Sequence, residues 1–320
     1  MNIKKIFKEQ GGFSLLKNYW RTGALLPAII TFIVLGKSKK ALEILRLVAQ
    51  FKTNQKIYKL YENRVDKLLD KYNNEENSKN KKIIPRKVYF CWFQGIDKAP
   101  ELVKKCYASI KKHITDREIV LITEDNYHDY VTFPQFIEDK INSGIISRTH
   151  MSDLLRLELL TRYGGTWIDA TVLCTATPPS YMLDSDMFVF QLLKPGCDGH
   201  SLCFSTWFIT AKPGAILLRL TLDLLYEYWQ EHDVMLDYFI FHQITEVVRA
   251  KCPKEWAKII PFSNEVPHIL LLRLFEPYNE EMWQSIKEET PFHKLSYKFT
   301  DIEFLKKNTY YDYIIRSDIF

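Results

Sequence analysis

Asp153, Arg156 and Asp169 are the residues of this 320-residue chain best placed to do chemistry, because each puts a charge where packing alone would favour an apolar side chain. Asp153 and Arg156 sit among Met151, Leu154, Leu155, Leu157, Leu159 and Leu160, which cover most of a helix circumference and predict a helix buried among other elements. Three positions apart, they share one face and point to a common place. Gly164 then supplies the stop, where a left-handed backbone suits glycine, and Gly165 lets the chain turn back. The β-branched and aromatic run from Thr166 to Leu173 predicts one strand, with Asp169 where the apolar run ends. At the carboxyl end of a strand in an open α/β sheet, a carboxylate faces the crevice where ligands bind. Taken singly, these residues have ordinary roles open to them, an intrahelical ion pair for Asp153 and Arg156 and an Asx turn for Asp169. Taken together, charges on a buried helix before a Gly-Gly turn and an acid-bearing strand are costly unless they serve a ligand.

Ser152, Asp153, Arg156, Tyr163, Gly164, Gly165, Trp167 and Asp169 resemble the sugar-binding region of glycosyltransferases of the capsular polysaccharide synthesis type, relatives of the initiating mannosyltransferases and the clostridial glucosylating toxins. The resemblance implies that Asp153 bonds sugar hydroxyls, that Arg156, Trp167 and Thr171 belong to the donor site, and that Asp169 is the catalytic first acid of an Asp-x-Asp motif. In that motif Asp169 holds a divalent metal, Mn²⁺ or Mg²⁺, on the nucleotide diphosphate. Here Thr171 stands in place of the second acid, and a hydroxyl is a weaker ligand than a carboxylate for a hard cation. A literal Asp184-Ser185-Asp186 follows Pro178-Pro179 and reads as a surface turn.

Other segments carry the same resemblance. Ile84 to Gly95 reads as a first strand, apolar on both faces and so central to its sheet, followed by a helix with Leu102, Val103, Cys106, Tyr107 and Ile110 on one stripe and a second strand over Glu118 to Thr123. In the family this opening packs around the donor base, which implies donor roles for Trp92 and Gly95. An Asp-Tyr-Phe segment makes Asp237 a catalytic candidate and His242 a candidate on the acceptor side. Helix cap and interior histidine are their ordinary alternatives. Lys294, in a His-Lys-Leu segment, suits the charge that builds on a departing diphosphate. Phe204 to Ala211 reads as a strand and Ala215 to Tyr228 as a helix.

These elements predict an α/β fold, a mixed nucleotide-binding sheet flanked by helices with an amino-terminal helical extension, and the resemblance implies that it is of GT-A type. The expected divisions are a basic helical hairpin over 1–71, a polar linker over 72–82 and the glycosyltransferase domain over 83–320. Residues 1–60 hold twelve lysines and arginines against two acids, within a formal net charge of +5 for the whole chain. So polarised a charge argues against a nucleic-acid partner and for an anionic surface beneath the amino-terminal segment. Its apolar run, Gly23 to Gly36, covers roughly 21 Å as a helix, short of the roughly 30 Å hydrocarbon core. Two arrangements remain open, a hairpin lying in the inner leaflet and a helical pair packed on the catalytic domain. The six cysteines form no C-x-x-C pair and read as reduced residues of a cytosolic protein.

The implied function is a retaining transfer of sugar from a nucleotide-sugar donor, a UDP-sugar ahead of a GDP-sugar, to a growing and lipid-linked capsular or exopolysaccharide glycan. The enzyme would sit peripherally on the inner face of the plasma membrane. Thr171 raises the alternative of a catalytically silent, membrane-associated scaffold within a polysaccharide assembly complex.

Overall fold

The computed structural model describes residues 12–75, 85–193 and 202–317. Most of the expected linker, 76–82, and Cys197 lie outside the described residues. From the amino end come α1 (Phe13–Thr22), α2 (Leu25–Leu35) and α3 (Lys39–Glu75). An alternation follows: β1 (Lys87–Cys91), α4 (Glu101–His113), β2 (Glu118–Ile122), α5 (Gln135–Asn142), α6 (Arg148–Arg162), β3 (Gly165–Ile168) and β4 (Val172–Cys174). The remaining principal elements are β5 (Met187–Gln191), β6 (Phe204–Ala211), α7 (Ile216–Glu231), α8 (Ile240–Lys251), α9 (Glu280–Glu289) and β7 (Phe292–Lys294), joined by shorter helical turns.

Five strands form one mixed sheet in the order β2-β1-β3-β6-β5. β1 runs parallel to β2 and β3, while β6 is antiparallel to β3 and β5. Val88, Tyr89 and Phe90 of β1 are all buried, as a strand covered on both faces requires. One face packs Tyr89, Trp167 and Ile209 against α6, α7 and α8; the other packs Val88, Phe90, Ile168 and Phe208 with Phe188 and Phe190. The fold is therefore the expected mixed α/β sheet flanked by helices, with a helical region at its amino end.

Two glycines seat β3 against its neighbours. Gly164 and Gly165 have φ of 72° and 104°, in the region that favours glycine. A Cβ on Gly164 would meet the Pro213 ring at 2.6 Å, and one on Gly165 would meet the Lys87 carbonyl oxygen of β1 at 2.7 Å.

Three local expectations need correction. The run from Thr166 to Leu173 is two strands and not one, because the chain leaves the main sheet at Asp169. The Asp169 amide still donates to the Trp207 carbonyl at 2.8 Å, but a turn closed by Val172 N–H to the Asp169 carbonyl hands the chain to a separate antiparallel pair, β4 with β7. The helix expected to include Asp237 begins only at Ile240; the Asp237 carboxylate accepts from the Phe239 amide at 2.8 Å and holds a turn before it. At the amino end α3 continues to Glu75, into the stretch expected as linker, because Tyr72 is buried and its hydroxyl donates to Asp223.

The inner half of α3 is part of the body of the protein, since Ile57, Tyr61, Val65 and Tyr72 join the same core cluster as Trp167 and Trp229. The two helices before it differ: Phe13 and Trp20 of α1 and Ile33 and Val34 of α2 are 84%, 75%, 74% and 73% exposed. No single helix among the described residues is long and apolar enough to cross a membrane, although α1 and α2, bent by 115° at their junction, reach that composition as a pair.

Candidate active site

Because β1 and β3 run parallel, their carboxyl ends open on the same side, and a cleft of about 580 Å³ lies there. Trp92, Asp153, Arg156, Trp167, Asp169, Thr171, His242 and Lys294 all line it. Gly95 and Asp237, the other two residues singled out from sequence, do not. Gly95 shapes the turn after β1 with a φ of 80° and open space beside it. Asp237 lines a neighbouring cavity of about 830 Å³, with Asn18, Tyr19 and Arg46 from the amino-terminal helices. Tyr238 lines both cavities and so marks their common edge. Burial raises the Asp237 carboxyl pKa above its usual range.

The centre of the cleft is a pair of acids bridged by one guanidinium. Arg156, 4% exposed, places Nη2 3.2 Å from Asp153 Oδ1 and 3.5 Å from Asp169 Oδ1. Its Nη1 donates to the Thr206 carbonyl at 2.5 Å, and its guanidinium lies over the Trp167 ring at 4.9 Å. Asp153 is held from behind by His150. The Trp229 indole donates to His150 Nε2 at 2.9 Å, which leaves the proton on Nδ1, 3.3 Å from Asp153 Oδ2. The intrahelical pair expected of Asp153 and Arg156 therefore exists, and it is one edge of a larger network reaching Asp169.

Asp169 is surrounded by donors. The Trp167 indole donates to Oδ1 at 2.9 Å and the Lys294 ammonium to Oδ2 at 3.3 Å. Burial alone would raise this carboxyl's pKa, but Lys294 and Arg156 outweigh it and hold the group below the usual carboxylate range. The same Lys294 Nζ donates to Thr171 Oγ1 at 2.6 Å. Its position follows from strand pairing, since Val172 lies opposite Lys294 and the Leu295 amide donates to the Thr171 carbonyl at 2.8 Å.

These contacts test the implied divalent metal. A hard cation needs several oxygen ligands, carboxylates first among them. Asp169 already faces two cations, Thr171 accepts from one of them, and no group of three His, Cys, Asp or Glu among the described residues could hold a metal ion. The donor set does not fit a hard divalent cation.

At the other end of the cleft the Trp92 indole N–H is buried with no hydrogen-bond partner among the described residues, and its ring meets Tyr297 edge-on at 5.4 Å. His242 lies on the α8 side, where burial lowers its pKa to about 4, so its imidazole is neutral at pH 7. Sequence reading overlooked His150, and also Lys98, Arg148 and Lys298, three further cations on the cleft wall. A residue preceding Asp153 on the same helical face was a signal for His150; isolated surface-type lysines offered none. The acidic pair Asp184 and Asp186 stands apart in a turn, bound to Arg117 at 2.6 Å and Lys212 at 2.5 Å.

Comparison with known proteins adds a family. A family model described as capsular polysaccharide synthesis protein matches residues 40–314. The chain is also similar to a solved structure titled PaToxG glycosyltransferase, at 14% identity and a TM-score of 0.37, over 81% of this chain and 97% of that one. No curated protein matches it in sequence.

Proposed function

The chain belongs to the capsular polysaccharide synthesis family, and we propose that it is a glycosyltransferase that moves a sugar from a nucleotide-sugar donor to a growing capsular or exopolysaccharide glycan. The observation that carries this reading is the convergence of Asp153, Arg156, Asp169, Thr171 and Lys294 on one cleft at the strand ends. Its wall holds the cations Lys98, Arg148, Arg156, Lys294 and Lys298 against two acids, Asp153 and Asp169, which suits a dianionic diphosphate. Beside these charges, Trp92 and Tyr297 offer aromatic surface for the base.

In this reading Asp153 accepts from sugar hydroxyls while His150 and Arg156 keep it oriented. Arg156 and Lys294 face the phosphates, where negative charge grows as the bond to the sugar breaks. Both carboxylates of the cleft are engaged by Arg156, so neither is free as the nucleophile of a double displacement. Within a retaining transfer, that favours entry of the acceptor hydroxyl on the face the diphosphate leaves over a double displacement. The neutral His242 and the cavity bearing Asp237 lie on the side proposed for the acceptor.

Attachment to the inner membrane face, with a lipid-linked acceptor, is part of the same proposal. The exposed Phe13, Trp20, Ile33 and Val34, flanked in sequence by Lys17, Arg21, Lys37, Lys39 and Lys40, support it.

The deciding experiment incubates purified protein with UDP-sugars and GDP-sugars and follows release of the nucleoside diphosphate. Turnover that Asp169→Asn abolishes without unfolding is the expected result. A folded protein that neither binds nor turns over any nucleotide sugar would be the silent scaffold instead.

A further inference from the structure

We infer that this cleft binds its nucleoside diphosphate without a divalent cation, the Lys294 ammonium standing where the metal of an Asp-x-Asp site would stand. The inference rests on the glycosyltransferase reading above and concerns how that site meets phosphate charge.

Lys294 reaches both positions of the motif, donating to Asp169 Oδ2 at 3.3 Å and to Thr171 Oγ1 at 2.6 Å. A metal ion bound to the same oxygens would crowd against that ammonium, and like charges at such range repel strongly in a partly desolvated site. Replacement of the second acid by Thr171 removes a negative charge as well as a ligand, so the local balance suits one monovalent cation better than an added divalent one. Arg156 contributes a second fixed positive charge through Nη2, 3.5 Å from Asp169 Oδ1. The ammonium is also set in place by backbone geometry, because Val172 lies opposite Lys294 in the β4–β7 register. Lys294 can therefore meet a phosphate oxygen with little reorganisation, and Asp169 holds the ammonium that donates the charge-assisted hydrogen bond to the phosphate.

The test measures binding of UDP and of GDP to the full chain by calorimetry, in EDTA and again in Mn²⁺. We expect affinity in EDTA to lie within about tenfold of that in Mn²⁺, and Lys294→Met to weaken it about tenfold or more while Lys294→Arg recovers part of the loss. Thermal unfolding of both variants separates lost binding from lost folding. The variant pair Thr171→Asp with Lys294→Met should gain binding on addition of Mn²⁺. Detectable binding of UDP or GDP only with Mn²⁺, accompanied by loss of the free Mn²⁺ resonance signal on adding protein and nucleotide, would overturn the inference and leave the glycosyltransferase reading standing. No binding of either nucleotide in either buffer would overturn both.

Discussion

Lys294 and Thr171 meet at 2.6 Å although 123 residues separate them in the chain, because the antiparallel β4–β7 pair brings the end of one strand beside the start of the other. The ammonium thus sits against Thr171, the residue that stands in place of the motif's second acid. Its removal should matter more to catalysis than to stability. Lys294→Met is expected to lower kcat by about 10² to 10³, the range seen when one donor to developing negative charge is lost. Steady-state release of nucleoside diphosphate checks this, and an unchanged kcat would contradict it.

Arg156 keeps two partly buried acids from facing each other unneutralised. Arg156→Met should destabilise the fold by about 1–3 kcal/mol, the cost of leaving partly buried acceptors without their charged donor. Adding Asp153→Asn to that variant should return part of the loss. Urea unfolding of the two single variants and the double variant measures the coupling directly, and simple additivity would show the bridge to be unimportant.

Acid should loosen the strand that carries Lys294. His293 is fully buried on β7, and burial lowers its pKa from the ordinary 6.5 to about 3. The unfolded chain binds the proton more readily than the folded one, so this group leaves stability intact above about pH 6.5 and removes it progressively as pH falls toward 3. Each unit of displacement amounts to about 1.4 kcal/mol. His242, lowered to about 4, acts in the same direction over a narrower window. His293→Gln should flatten the pH dependence of the urea midpoint between about pH 7 and 4. A profile as steep as the parent's would assign the acid lability elsewhere.

Gly165 tolerates no side chain. With φ of 104° and a Cβ position 2.7 Å from the Lys87 carbonyl oxygen, Gly165→Ala must strain the backbone or push β3 away from β1. A loss of about 2 kcal/mol or more is expected, read as a lowered Tm. Since β3 leads directly into Asp169, transfer activity should fall in soluble, folded fractions too.

The amino-terminal helices should hold the protein on anionic lipid. Trp20→Glu with Ile33→Glu is expected to abolish co-sedimentation with phosphatidylserine vesicles while leaving Tm unchanged, because both side chains are exposed. High salt should weaken binding of the parent as the lysines are screened. Deletion of everything before Lys82 would be a poor test, since it also removes the core residues Ile57, Tyr61 and Val65.

Local periodicity and glycine chemistry made much of this protein legible in one dimension. The leucine pattern around Asp153 dictates a buried helix, the Gly-Gly pair dictates a turn, and the doubly apolar run around Val88 dictates a central strand, because each depends on neighbours a few residues away. The grouping of Asp153, Arg156 and Asp169 was readable for the same reason. Tertiary structure decided what no local pattern encodes. It ended β3 at Ile168 by giving the next strand a partner far along the chain, and it brought Lys294 onto Thr171. It placed His150 behind Asp153 and moved Asp237 into a separate cavity. It also drew the inner half of α3 into the core, since burying Ile57, Tyr61 and Val65 requires the surface that α7 and α8 provide only once folded.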